Sequence, residues 1–162
     1  MSQPAASPEQ RLGEILRARG WNIAVAETTT GGLISARIVA VPGSSTYFER
    51  GIIAYSKASK TLVGVDEALI ASHGAVSPEM ASAMAEGVRE VSGVDVGIAE
   101  TGIAGPIQGR SPKPLGSAFI AVSLPDGTTC EHHVFNGDRT EIREQIARRA
   151  ILMALEGLDS EG

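Results

Sequence analysis

One cysteine, one tryptophan and three histidines in 162 residues leave little material for several kinds of chemistry. The lone Cys130 excludes an intrachain disulfide and a cysteine-based zinc cluster, and its place in an alternating segment reads as strand packing. His132 and His133 are adjacent on that segment and so point to opposite faces, which argues against a shared metal. His73, just before Gly74, reads as a helix-end residue. No apolar run approaches the roughly 20 residues needed to cross a bilayer. Met1 to Ser7 also lacks the charged and apolar regions of a signal peptide, so a cytoplasmic protein with no membrane contact is expected. Basic residues are in deficit too: 14 Lys and Arg stand against 19 Asp and Glu, a net charge of -5. That balance argues against nucleic-acid binding through the phosphate backbone, but leaves room for a local basic pocket.

What is present suits one globular unit. A chain of this length buries roughly two-thirds of its unfolded surface without a metal or disulfide, and no repeat or linker divides it. We therefore expect one domain over residues 1–162, with a core from about Leu12 to Leu158 and a loose start over Met1 to Pro8.

The periodicity predicts a helix over Gln10 to Arg19 that stops at Gly20, then a strand over Asn22 to Ala26. Thr30 is placed to cap a helix that begins at Gly31, carries Leu33, Ile34, Ile38 and Val41 on one face, and breaks at Pro42-Gly43. A second strand spans Phe48 to Tyr55, followed by short helices over Ser56 to Leu62 and Asp66 to Ser72. Ser77-Pro78 opens a longer helix to about Ser92, and Val94 to Ala99 reads as a buried strand. Leu115 to Leu124 and Thr128 to Phe135 flank the turn Pro125-Asp126-Gly127, and a capping box at Asp138 and Glu141 starts a final helix. Five strands interleaved with helices predict an α/β protein, a three-layer α/β/α sandwich with a mixed, about five-stranded sheet.

Ligands of open α/β sheets collect at the carboxyl ends of parallel strands. That rule brings together the run Glu27-Thr28-Thr29-Thr30-Gly31-Gly32 after the first strand and the loop Glu100-Thr101-Gly102-Ile103-Ala104-Gly105-Pro106 after the third. Thr28 offers a hydroxyl there, and Tyr55 and Lys60 follow the second strand. A hydroxyl nucleophile needs a base, and a desolvated lysine serves where no histidine is at hand. Backbone N–H groups near Gly31-Gly32 or Gly102 are candidates for holding an oxyanion or phosphate, and Lys113 adds positive charge. Each feature also has a structural use: the threonines as a helix cap and β-branched packing, Tyr55 as a sheet-edge aromatic, Lys60 as a solvated helix residue, and the glycine loop as a turn.

The order of motifs is more specific than any one of them. Ala26 to Gly32, Val41-Pro42-Gly43-Ser44-Ser45, Tyr55-Ser56 with Lys60, His73 to Ser77, Thr101 to Pro106, Lys113-Pro114 with Gly116, and Gly137-Asp138-Arg139 together resemble the CinA C-terminal family, the nicotinamide-nucleotide amidases. The resemblance runs from about Leu12 to Leu158. It implies hydrolysis of the carboxamide of nicotinamide mononucleotide to nicotinate mononucleotide and ammonia, with no metal or organic cofactor. The implied partner is a small-molecule pyridine nucleotide, and a homo-oligomer is implied as well. CinA proteins often carry a further N-terminal domain, for which this chain is too short, so a stand-alone version is expected.

By the same resemblance Thr28 matches the nucleophile, assisted by Tyr55 and Lys60. Thr29, Thr30, Gly31, Gly32, Thr101, Gly102, Ile103, Ala104, Gly105 and Lys113 would surround the nucleotide. The departures are specific. The family's first motif normally reads Glu-Ser-Cys-Thr-Gly-Gly, so Thr28 replaces the nucleophilic serine and adds a methyl group that restricts χ1. Glu100 brings a carboxylate to a position usually small or apolar, and Ile107-Gln108 interrupt a glycine-rich run. An alternative expectation is therefore a pyridine-nucleotide binding or regulatory protein with weak or no turnover. A third is an amidase for another small amide.

Overall fold

The computed structural model describes residues 2 and 4–161. The expected loose start falls outside them at Met1 and Gln3. From Ser7 onward the chain is regular: the Ser7 hydroxyl accepts the Gln10 N–H and the Gln10 side chain accepts the Ser7 N–H, a capping box that starts α1 (Pro8–Arg19) two residues earlier than predicted. The order continues β1 (Ile23–Glu27), α2 (Leu33–Val39), β2 (Phe48–Ile53), a 3-10 helix (Ala58–Val63), α3 (Glu67–His73), α4 (Pro78–Ser92), β3 (Val96–Gly102), β4 (Ser117–Leu124), β5 (Gly127–Val134) and α5 (Arg139–Ser160).

The sheet order is β2-β1-β3-β4-β5. The first three strands are parallel, and β4 and β5 are each antiparallel to the strand before. The carboxyl ends of β1, β2, β3 and β5 consequently lie at one edge, as the mixed sheet predicted from sequence requires.

Alternation along the strands divides the core in two. Ile23, Val25, Val96, Ile98, Ile120 and Val122 face α1, α2 and α5, whereas Ala24, Ala26, Ala99, Phe119 and Ala121 face α3 and α4. The face toward α4 is built from smaller residues, so the helix comes close to the strands. A Cβ on Gly97 would overlap the Ala85 carbonyl, and one on Gly87 would overlap the Val63 carbonyl at the end of the 3-10 helix. That second contact fixes the segment carrying Lys60. Gly87→Ala is expected to destabilise the fold by about 1–3 kcal/mol, because backbone is what must move. Urea unfolding measures it, and an unchanged midpoint would contradict the close approach.

Three expectations change at the edge that matters. Thr30 does not cap α2: the helix starts at Leu33, its cap is Gly32 with positive φ, and no side chain of the cap residue bonds to it. The Glu27 carboxylate fills that role instead, accepting the N–H groups of Gly32, Ile34 and Ser35 and the Ser35 hydroxyl. The segment predicted as a helix from Ser56 is the tighter 3-10 turn from Ala58, and β2 ends at Ile53, two residues short of Tyr55.

Candidate active site

A cleft of about 330 Å³ opens at the carboxyl edge of the sheet. Thr28 and Thr29 reach it from the loop after β1, Tyr55 and Lys60 from the segment after β2, and Thr101, Gly102, Ile103, Ala104 and Gly105 from β3 and its following loop. Ala75 and Val76 close one side, and Arg110 and Arg139 line it as well. Parallel strands therefore bring the three proposed catalytic residues to one cavity. Thr30, Gly31, Gly32 and Lys113 are not among its lining residues. Lys113 instead places its Nζ 5.8 Å from the centroid of the Phe119 ring.

Thr28 is 6% exposed. Its hydroxyl donates to the Glu100 carbonyl at 3.0 Å, and the neighbouring Thr29 hydroxyl donates to the Gly102 carbonyl at 2.9 Å. The two hydroxyls thus tie the β1 loop to the end of β3. The Thr101 hydroxyl points to the other side of that strand and donates to the Ala75 carbonyl at 2.6 Å, which holds the α3–α4 connection against the cleft.

Lys60 is 3% exposed, and its Nζ lies 3.0 Å from the Ala54 carbonyl, 3.2 Å from that of Tyr55 and 3.5 Å from that of Ser56. Three carbonyl acceptors match the three donors of an ammonium. Burial pushes the Lys60 pKa down, and only an ionised Glu100 would oppose that shift. Tyr55 is 61% exposed and borders the same cavity.

The backbone donors are distributed differently from the sequence expectation. The Gly31 N–H bonds the Thr28 carbonyl and the Gly32 N–H bonds Glu27, so neither is free for an anion. The Thr28 and Thr30 N–H groups both go to Glu100 Oε1, at 2.6 and 3.0 Å. The Glu27 carboxylate already neutralises the N-terminus of α2. The arginines that line the cleft are Arg110 and Arg139. The latter donates to the Gly105 carbonyl at 2.8 Å and so ties the β3 loop to the start of α5. Arg143, one turn further along, donates to the Thr29 and Thr30 carbonyls, both at 2.9 Å.

The family model described as the CinA C-terminal domain matches residues 5–158. The chain belongs to the CinA C-terminal domain family.

The CinA-like protein of Acidobacterium capsulatum is 48% identical over 146 residues, which are 90% of this chain and 35% of that one. The CinA-like protein of Syntrophobacter fumaroxidans is 45% identical over the same length. This chain spans about a third of the length of these curated relatives. Among solved structures, a competence-damaged protein (CinA) superfamily protein from Klebsiella pneumoniae superposes with a TM-score of 0.90 at 28% identity, covering 94% of this chain and 96% of that one. The competence/damage inducible protein CihA from Agrobacterium tumefaciens superposes with a TM-score of 0.84 at 33% identity, covering 98% and 99%. The CinA fold thus extends along the described chain, and no described helix is long and apolar enough to cross a membrane.

Sequence reasoning did not assign Arg139 to the site, although it lies in the Gly137-Asp138-Arg139 motif. The signal was topological: β5 runs parallel to β3, so whatever follows β5 arrives at the same edge. Ala75 and Val76 were likewise visible only as part of a motif.

Proposed function

We propose that the cleft hydrolyses a small carboxamide, with nicotinamide mononucleotide as the substrate implied by the family resemblance. The observation that carries this reading is a buried hydroxyl, a buried lysine and an exposed phenol around one cavity with two arginines on its wall. In the proposed reaction Thr28 Oγ1 attacks the amide carbon and its proton passes to the neutral Lys60 amine, with Tyr55 orienting the transfer. The protonated lysine returns that proton to the leaving nitrogen, which departs as ammonia. Water then cleaves the resulting ester and frees the acid.

Two changes precede attack. The Thr28 hydroxyl must leave the Glu100 carbonyl by rotating about χ1, and Lys60 must lose a proton that the three carbonyls favour keeping. Purified protein incubated with nicotinamide mononucleotide is expected to release ammonia and the carboxylate in equal amounts. A folded protein that binds the nucleotide and releases neither would sink this reading.

Arg110 and Arg139 supply the charge that a substrate phosphate needs, and their guanidinium forks suit it. Arg110→Gln is expected to raise KM for the mononucleotide by roughly tenfold while leaving that for the riboside, which lacks the phosphate, within about twofold. Parallel kinetics on the two substrates check it, and equal losses on both would show that Arg110 does not meet the phosphate.

The resting contacts of Thr28 and Lys60 also favour a second reading, a protein that binds pyridine nucleotides without turning them over. Calorimetry separates the two: heat of binding with no ammonia supports the second, and absence of binding to any pyridine nucleotide removes it.

A further inference from the structure

Glu100 is the least expected group at this site. Its side chain is wholly buried, yet Oε1 accepts the Thr28 N–H and the Thr30 N–H and lies 2.8 Å from the Thr30 hydroxyl oxygen, while Oε2 is enclosed with no partner among the described residues. The same Thr30 hydroxyl lies 2.6 Å from Glu27 Oε1. Two hydrogen bonds therefore run through one oxygen that owns a single proton. A second proton is needed, and it belongs to a carboxyl.

Which carboxyl holds it follows from the remaining partners. Glu27 receives three further N–H groups and the Ser35 hydroxyl, so every contact it makes beyond Thr30 is from a donor, as suits an anion. Glu100 has a bare oxygen in the protein interior. As part of a carboxylate that atom would hold half a negative charge with no donor, whereas as the carbonyl oxygen of a neutral acid it costs far less. Burial, reinforced by the charge of Glu27, moves the Glu100 pKa in the same direction, upward.

We propose that Glu100 is a positioning residue that holds the Thr28–Thr30 loop as a neutral acid, sharing its proton through the Thr30 hydroxyl with the Glu27 carboxylate. The arrangement runs from Glu100 Oε1–H to Thr30 Oγ1 and from Thr30 Oγ1–H to Glu27 Oε1. No bond between heavy atoms changes. It allows one acidic side chain to sit directly beneath the Thr28 backbone without adding a second buried anion beside the cleft. The charged and titratable neighbours are Glu27 from β1, Lys60 from the 3-10 helix, and Arg143 from α5, whose guanidinium binds the loop carbonyls from the other side.

The structural part stands without any assumption about turnover; the kinetic part rests on the proposed amidase reading. The test uses the full chain with Glu100→Gln, which keeps an oxygen for the two N–H groups, and Glu100→Leu, which removes it. Difference infrared spectra of wild type against Glu100→Gln at neutral pH are expected to contain the carbonyl stretch of a protonated carboxyl, lost in the variant.

Stability is expected to fall as pH rises from the ordinary glutamate range toward the raised titration of Glu100. Across that window the folded state binds the extra proton and the unfolded state does not. Glu100→Gln should lack this slope. If the amidase reading holds, Glu100→Leu lowers kcat by roughly tenfold or more with KM little changed, and Glu100→Gln restores most of it. Absence of the carboxyl band, or the same pH slope in wild type and Glu100→Gln, overturns the proposal even if Glu100→Leu fails to fold. Absence of ammonia release with the band present overturns only the amidase reading.

Discussion

Lys60→Met is expected to lower ammonia release by roughly a hundredfold to ten-thousandfold, the range for losing a positioned general base. Methionine fills much of the volume of the lysine stem, so the 3-10 helix keeps its packing while the nitrogen is lost. The Ala54, Tyr55 and Ser56 carbonyls then lack their shared donor, at a cost of about 1–3 kcal/mol for each that stays buried. Removing an enclosed ammonium offsets part of that cost. Activity should suffer far more than stability.

The pH profile supplies an independent check. Only neutral Lys60 accepts the Thr28 proton, so activity rises with pH, and burial shifts that rise below the range of an exposed lysine. The linkage runs the same way. Between the lowered folded pKa and the ordinary value, the unfolded chain binds the extra proton, so this group contributes stability that increases with pH across the window. Lys60→Met should lose both slopes. A variant that still released ammonia at the wild-type rate would remove Lys60 from the mechanism.

The fold was readable from sequence because its signals are local and repeated. Pro42-Gly43, Ser77-Pro78 and Pro125-Asp126-Gly127 mark the ends of elements, and the unbroken apolar run of Ile23, Ala24, Val25 and Ala26 shows a strand buried on both faces. The convergence of Thr28, Tyr55 and Lys60 was also legible, since parallel strands deliver their carboxyl ends to one edge.

What stayed hidden was the direction of individual hydrogen bonds. Thr30 has the residue type and position of an N-cap, but Glu27 reaches past it to the first N–H groups of α2, and a charged acceptor outcompetes a hydroxyl for them. Local spacing gave no warning of this. The partner that then engages Thr30 is Glu100, 70 residues away in sequence and adjacent only through β1–β3 pairing. The same long-range contact removes the Thr28 and Thr30 N–H groups from the pool of ligand donors. From sequence Glu100 stood out only as a carboxylate at a position usually small or apolar; its burial and its donors make it part of the loop's support.

Thr28→Ala is expected to eliminate turnover, by roughly a thousandfold or more, and Thr28→Ser to raise it. The first outcome follows from losing the only hydroxyl proposed to attack. The second depends on a methyl group. In the resting arrangement the Thr28 hydroxyl donates to the Glu100 carbonyl, and the proposed attack presents it to the cleft by a turn about χ1. For serine that turn moves one oxygen. For threonine it also carries the methyl group through a 6% exposed site bounded by Thr29 and the end of β3, where β-branching already restricts the rotamers. A rotamer penalty of about 1 kcal/mol corresponds to a rate change of roughly fivefold. The gain should appear in kcat, because the hydroxyl is released within the bound complex, and KM should change little. Single-turnover ammonia release by the two proteins measures it. If serine gives no gain, the methyl group is not the obstacle, and the step that limits the reaction lies with the proton that three carbonyls hold on Lys60.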